Sequence, residues 1–307
     1  MAIREIASGL KFPEGPIAMD DGSVIVVEIQ RGTLTRVKPD GKLQVLAKLG
    51  GGPNGAAIGP DGAVYVCNNG GSKHVERNGI LVPAATADDY TTGRIERVDL
   101  KTGKIERLYD RVGDFPLRGP NDLVFDKSGG FWFTDYGKDS KRFRDKSGIY
   151  YARPDGSSAR EVTFGSSGYN GVGLSPDEKV VYAAETSTGR LWAFDITGPG
   201  GEIKRERKWL PGRIVTTMPG RPHIQYFDSL AVTASGRVCV ATLLDAPCIT
   251  SIALDGTFEQ IPTGDIYTTN ICVGGKDMRD AFITLSGAGK LGKMRWKEPG
   301  LRLNFNA

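Results

Sequence analysis

The chain has 307 residues, of which 42 are glycine, and 39% are hydrophobic. That glycine content is about twice ordinary usage, but it follows no collagen triplet, and the hydrophobic share excludes a disordered composition. Forty basic against 36 acidic residues leave a net charge of +4 with no basic run, so a nucleic-acid partner is not expected.

In chain order, the elements repeat one plan. The first unit opens at Pro13-Glu14-Gly15-Pro16, turns at Asp20-Asp21-Gly22 and continues through Val24-Ile25-Val26-Val27. The second runs from Gly52-Pro53-Asn54-Gly55 through Pro60-Asp61-Gly62 to Val64-Tyr65-Val66-Cys67. The third runs from Gly119-Pro120-Asn121-Asp122 to Phe131-Trp132-Phe133-Thr134, and the fourth from Tyr169-Asn170-Gly171 to Val180-Val181-Tyr182-Ala183. The fifth runs from Phe227-Asp228-Ser229 to Val238-Cys239-Val240-Ala241; the sixth, Thr269-Asn270-Ile271 to Ala281-Phe282-Ile283-Thr284, has the weakest match. Each unit is a polar anchor, a short apolar strand, a tight turn and a β-branched or aromatic strand. Between the anchors, alternating charged and apolar residues predict outer hairpins at 32–48, 93–108, 148–164, 189–210 and 247–262.

The anchors 14, 54, 121, 170, 228 and 270 lie 40, 67, 49, 58 and 42 residues apart. Six units of four strands at that period predict an all-β, six-bladed propeller with antiparallel blades, spanning 1–307 as one domain. Ile3-Arg4-Glu5-Ile6 precedes the first anchor as Ile105-Glu106-Arg107-Leu108 precedes the third, so the N-terminal strand is expected to complete the last blade and close the ring. The insertion 73–92 reads as a loop on one face. Gly287-Ala288-Gly289-Lys290-Leu291-Gly292 matches a dinucleotide fingerprint by letter, but a strand-like segment follows it, so it reads as a hairpin turn. Trp132 and the Tyr150-Tyr151 pair read as blade core.

Met1 to Leu10 carries Arg4 and Glu5 and lacks the apolar core of a secretory signal, and no stretch approaches a membrane span. The cysteines at 67, 239, 248 and 272 are too scattered for a disulfide framework. A cytoplasmic protein with no membrane or nucleic-acid partner and a small-molecule substrate is therefore expected. Two histidines, His74 and His223, cannot build a three-histidine zinc centre, and no Gly-x-Ser-x-Gly elbow is present.

In a propeller the six anchors converge on one mouth of the central channel. Glu14, Asn54, Asn121, Asn170, Asp228 and Asn270 offer two carboxylates and four amides, a hard-oxygen set suited to calcium, though Asn and Asp also open strands as local turn caps. Phe12-Pro13-Glu14-Gly15-Pro16, Gly119-Pro120-Asn121-Asp122, Asn170-Gly171 with Leu174-Ser175-Pro176-Asp177, and Asn270 with Gly274-Gly275 together resemble the gluconolactonase / senescence marker protein (regucalcin) / luciferin-regenerating enzyme-like family, related to diisopropyl fluorophosphatase. The resemblance implies one divalent metal, usually calcium, with zinc, manganese or magnesium as alternatives. It implies Glu14, Asn170 and Asp228 as ligands, with Asn121 orienting substrate or joining them, and Asp228 as general base or nucleophile. Asn54, Arg118 and His223 are candidate substrate contacts. The implied activity is a lactonase acting on a sugar lactone or similar small cyclic ester. The alternatives are an organophosphate triester hydrolase at the same site and a non-catalytic calcium-binding propeller. Ser229 stands where the family usually has glycine.

Overall fold

Pro13–Ala18, Val24–Glu28, Thr33–Val37 and Leu43–Lys48 form an antiparallel meander, and the same unit recurs around the ring. The computed structural model describes residues 3–207, 211–218 and 223–306. The second blade comprises Pro53–Ile58, Val64–Asn68, Arg94–Val98 and Ile105–Tyr109. The third comprises Pro120–Phe125, Phe131–Asp135, Ser147–Ala152 and Ala159–Ser166, and the fifth Gln225–Val232, Val238–Leu244, Cys248–Ile252 and Phe258–Pro262. In the fourth, Tyr169–Leu174, Val180–Glu185 and Arg190–Gly198 are followed by Arg213–Thr217, with Glu202–Ile203 added beside the third strand. The outer hairpin expected at 189–210 thus ends later than its sequence suggested, and 208–210 fall outside the described residues.

The sixth blade closes the ring as expected. Thr268–Gly274, Asp280–Leu285 and Lys290–Arg295 come from the C-terminal part of the chain, and Arg4–Ala7 pairs antiparallel with Lys290–Arg295. The segment 287–292 is the hairpin turn and strand that the sequence predicted, not a nucleotide loop. No helix among the described residues is long and apolar enough to cross a membrane.

The core lies between blades. Tyr65, Phe125, Phe131 and Phe133 fill one layer, and Val124, Trp132, Tyr169, Trp192 and Phe194 the next. Each such side chain fully withdrawn from water contributes about 1.5–3 kcal/mol, so blade contacts dominate the stability. Buried acids at the ends of second strands tie the connections down. Glu28 accepts hydrogen bonds from Lys11 N, Arg31, Thr33 and Thr35. Asp135 accepts from the main-chain N–H groups of Arg118, Gly119 and Gly137. All four cysteines are free, with Cys67, Cys239 and Cys248 buried.

The insertion is not a loop. Ser72–Arg77 and Ile80–Thr86 form a hairpin, because Asn78 and Gly79 both take positive φ, 52° and 76°. Asn-Gly is the sequence that this mirror-image turn prefers. At the other end of the channel, residues 299–306 cross the ring: Leu301 N donates to Val232 O at 2.9 Å, and Asn304 Nδ2 donates to Glu178 Oε1 at 2.6 Å.

Candidate active site

Every innermost strand is bulged where it meets the channel mouth. The register slips between Glu14 and Ile17, Pro53 and Ala56, Pro120 and Leu123, Tyr169 and Val172, Phe227 and Leu230, and Thr268 and Asn270. A bulge re-aims the extra residue out of the ladder. It turns Glu14, Asn54, Asn121, Asn170 and Asp228 toward one cavity of about 520 Å³. Glycine makes this close approach feasible. A Cβ on Gly15, at φ 51°, would lie 2.6 Å from Asn54 O, and one on Gly55 would lie 2.5 Å from Asn121 O.

The sixth position differs from the sequence alignment. The residue after Thr268 is Thr269, which lines the cavity and is already hydrogen-bonded to Ser286 at 2.6 Å and Thr284 at 2.9 Å. Asn270 sits one step deeper, level with Gly15, Gly55, Asp122, Gly171 and Ser229, and lines the channel below. There its Nδ2 donates to Glu14 Oε2 at 2.7 Å, while Gly15 N donates to the same oxygen at 2.6 Å. Asn270 is therefore a support for Glu14 and not a member of the mouth ring.

The electrostatics of the ring are unbalanced. Glu14 is 2% exposed, and burial, reinforced by the Asp228 and Asp122 carboxylates, pushes its pKa well above the usual range. Burial also raises Asp228 to about 8, against the hydrogen bond from Asn170 that favours its ionised form. Asp122 is raised to about 7 for the same first reason. Among the described residues no Lys, Arg or His forms an ion pair with Glu14 or Asp228. Asn121 Oδ1 and Asn170 Oδ1 are buried without a hydrogen-bond partner, although Asn170 Nδ2 donates to Thr186 Oγ1 at 3.2 Å. Buried acids without counter-charge and orphaned amide oxygens are each costly, and one bound cation relieves both. Among the described residues no three His, Cys, Asp or Glu side chains cluster, so such an ion needs the amide oxygens as well as the two acids. All four donors are oxygens, which fits a hard divalent ion.

Two expected substrate contacts lie elsewhere. Arg118 does not line the cavity; its Nε donates to Asp145 Oδ2 at 2.8 Å and its guanidinium rests 5.6 Å from the centre of the Tyr90 ring. Asp145 holds the guanidinium away from the mouth, while Asp135 accepts from the Arg118 main-chain N–H. His223 is exposed, in the segment before Gln225–Val232, and likewise lines no part of the cavity. The structure instead brings in residues that the repeat pattern did not mark. His74 of the inserted hairpin packs on Phe12 with ring centres 4.8 Å apart, and burial lowers its pKa. Tyr136, Lys138 and Tyr267 complete the wall. The Asn78-Gly79 turn was the available signal for the hairpin; Lys138 had none, since it lies outside the repeat. Ser229 Oγ is buried with no hydrogen bond of ordinary geometry, close enough to Asp122 to favour its ionised form.

A six-bladed propeller with an acid-and-amide ring at one channel mouth defines the class. Residues 12–287 match the SMP-30/gluconolactonase/LRE-like region, and the chain belongs to that family. It is 31% identical over 185 residues to lactonase drp35 of Staphylococcus saprophyticus, covering 59% of this chain and 50% of the relative. It is 27% identical over 222 residues to a gluconolactonase of Zymomonas mobilis, covering 64% of this chain and 56% of that one. The chain thus spans about half the length of the curated relatives it matches. In fold it resembles regucalcin of Agrobacterium tumefaciens, described as a calcium-binding protein, with a TM-score of 0.73 over 98% of both chains at 17% identity.

Proposed function

We propose that this protein hydrolyses a sugar lactone or similar small cyclic ester at the channel mouth, with a divalent cation, calcium foremost, held by Glu14, Asn121, Asn170 and Asp228. The observation that carries this reading is the pairing of two buried, uncompensated carboxylates with two orphaned amide oxygens around one cavity. The names of the lactonase relatives support the substrate class. When bound, the cation supplies Lewis-acid polarisation of the ester carbonyl and stabilisation of the developing oxyanion.

The chain's own groups supply the rest. Asp228 accepts the proton of the attacking water through its carboxylate, with Asn170 and the Ser229 N–H favouring its ionised form. Asn121 and Asn54 orient the substrate from the third and second blades. Asn270 keeps Glu14 pointed at the mouth. The hairpin Ser72–Thr86, through His74, walls one side and limits water. Free, mostly buried cysteines support a reducing, cytoplasmic setting.

The test is lactone hydrolysis followed by pH-stat before chelation, after chelation and after calcium is restored. Activity is expected to vanish and return, and Asp228→Asn should lower kcat by roughly 100-fold or more. Unchanged hydrolysis of aldonolactones in chelator would overturn the reading. Turnover of organophosphate triesters without lactones would favour the alternative hydrolase.

A further inference from the structure

We infer that the substrate of this site carries a carboxylate that Lys138 receives. The inference rests on the lactonase reading and narrows it to lactones bearing a free acid group. It begins from a charge inventory. The carboxyl and ammonium groups lining the cavity belong to Glu14, Asp228, Lys138, Asp139 and Lys141. A divalent cation balances Glu14 and Asp228. Asp139 is already matched: Arg144 Nη1 donates to its two carboxylate oxygens at 2.7 and 2.8 Å. What remains is positive, on Lys138 and Lys141.

Lys138 is the organised one of the two. Its Nζ donates to Asn69 Oδ1 at 3.2 Å and to Gly71 O at 2.9 Å, and lies 5.0 Å from the centre of the Tyr90 ring. These partners are neutral, and among the described residues no carboxylate lies within ion-pair distance of Nζ. The nearby acids are engaged: Asp135 by three main-chain N–H groups, and Asp145 by Arg118. An ammonium has three donors, so one stays open for a ligand. Burial pulls the Lys138 pKa down to about 8, so the group remains mostly protonated at neutral pH and gains from an incoming anion.

Position adds to charge. Lys138 joins the third-blade loop to the root of the inserted hairpin, where Thr86, paired with Ser72, also donates through Oγ1 to Asp139 O at 3.2 Å. The ammonium is therefore held on the wall of the cavity and not on a free side chain. Lys141 is exposed and adds only long-range attraction. One fixed ammonium suits a carboxylate, and among the described residues no arginine lines the cavity to supply the fork that favours a phosphate dianion.

The test compares a neutral aldonolactone with the lactone of the matching sugar diacid, on the calcium-loaded protein. Wild type should prefer the carboxylate-bearing lactone in kcat/KM by about 10-fold or more, and the preference should shrink as salt rises. Lys138→Met should cost the acid lactone about 10-fold more than the neutral one, and Lys138→Arg should keep most of the preference. Equal rates on both lactones with wild type, or equal losses in the Met variant, would overturn the inference. Calorimetric titration with the open-chain diacid and the aldonate separates the two readings. If neither lactone is hydrolysed yet the diacid binds tighter and depends on Lys138, the lactonase reading fails and the carboxylate site stands. If the lactones are hydrolysed and the diacid binds no tighter, the lactonase reading stands and the carboxylate site falls.

Discussion

Asn270 Nδ2 donates to Glu14 Oε2 at 2.7 Å, joining the last innermost strand to the first across the ring seam. The bond uses one Glu14 lone pair and fixes the carboxylate's orientation, while Gly15 N holds the same oxygen. Asn270 is itself positioned, since its Oδ1 accepts from Ile271 N at 2.8 Å. Partners that orient a ligand in this way typically contribute about 10–100-fold to metal affinity. Asn270→Ala should therefore weaken calcium binding by about that factor, measured by calorimetry, with the far-ultraviolet spectrum unchanged. An affinity equal to wild type would show that Glu14 needs no such support.

The metal-free protein should lose stability as pH rises. Burial holds Asp228 and Asp122 at folded pKa values of about 8 and about 7 and pushes Glu14 well above the usual range, whereas the unfolded chain titrates these acids near 3.8 and 4.5. The folded state thus binds more protons than the unfolded state between these limits. Its stability is fully present below about pH 4 as far as these groups are concerned, and is lost as pH rises toward 8. Calcium reverses the sign, because it binds the ionised acids. In chelator the unfolding midpoint should fall by at least about 4 °C between pH 5 and pH 8, and the shift on adding calcium should grow over the same interval. A calcium-induced shift that is flat with pH would contradict the placement of Glu14 and Asp228 at the metal.

The propeller was legible because its signals are local and repeated. Tight turns resembling Pro-Asp-Gly follow the first five anchors, and the Arg4–Ala7 strand carries the same charged-apolar pattern as the outer strands of the other blades. Glu14, Asn54, Asn121, Asn170 and Asp228 were legible for the same reason. Asn270 was misplaced by one residue, because the sixth bulge falls at Thr269, and a bulge shifts register without changing residue type. Arg118 looked like a substrate contact by its nearness to Asn121 in the chain, but its direction is set by Asp145, which lies 27 residues away. The loop 136–147 was expected to shape the pocket, but Lys138 within it was not singled out, because its partners Asn69 and Gly71 come from another blade.

The glycine that follows Glu14, Asn54 and Asn170 is open to direct test at Gly55. An added Cβ would lie 2.5 Å from both Asn121 O and Asp122 Cα. These neighbours are backbone atoms of the next innermost strand, so they cannot swing aside as a flexible side chain would. Gly55→Ala should destabilise the fold by about 1–3 kcal/mol, read from denaturant midpoints at constant m-value. Because the crowded carbonyl belongs to Asn121, calcium affinity should fall as well. A variant as stable as wild type would mean that the blades separate at the axis more easily than their packing indicates.

Ring closure gives the last prediction. Arg4 pairs with Lys293 and Glu5 with Gly292, and Lys290 Nζ lies 2.8 Å from Glu5 Oε2. Removing residues 1–8 would take away this strand, uncover the edge Lys290–Arg295 and strip Ala7 from its buried layer with Leu10, Val26 and Leu291. The ion pair is solvent-exposed and contributes little, so the loss comes from the ladder and the apolar contacts. The exposed edge is also a template for a second chain. The truncated protein should unfold at a lower midpoint than the full chain and elute partly as higher-order species, whereas Lys290→Ala, which breaks only the exposed ion pair, should leave both nearly unchanged. If truncation and Lys290→Ala had the same small effect, the N-terminal strand would be an ornament on a ring already closed by its other contacts.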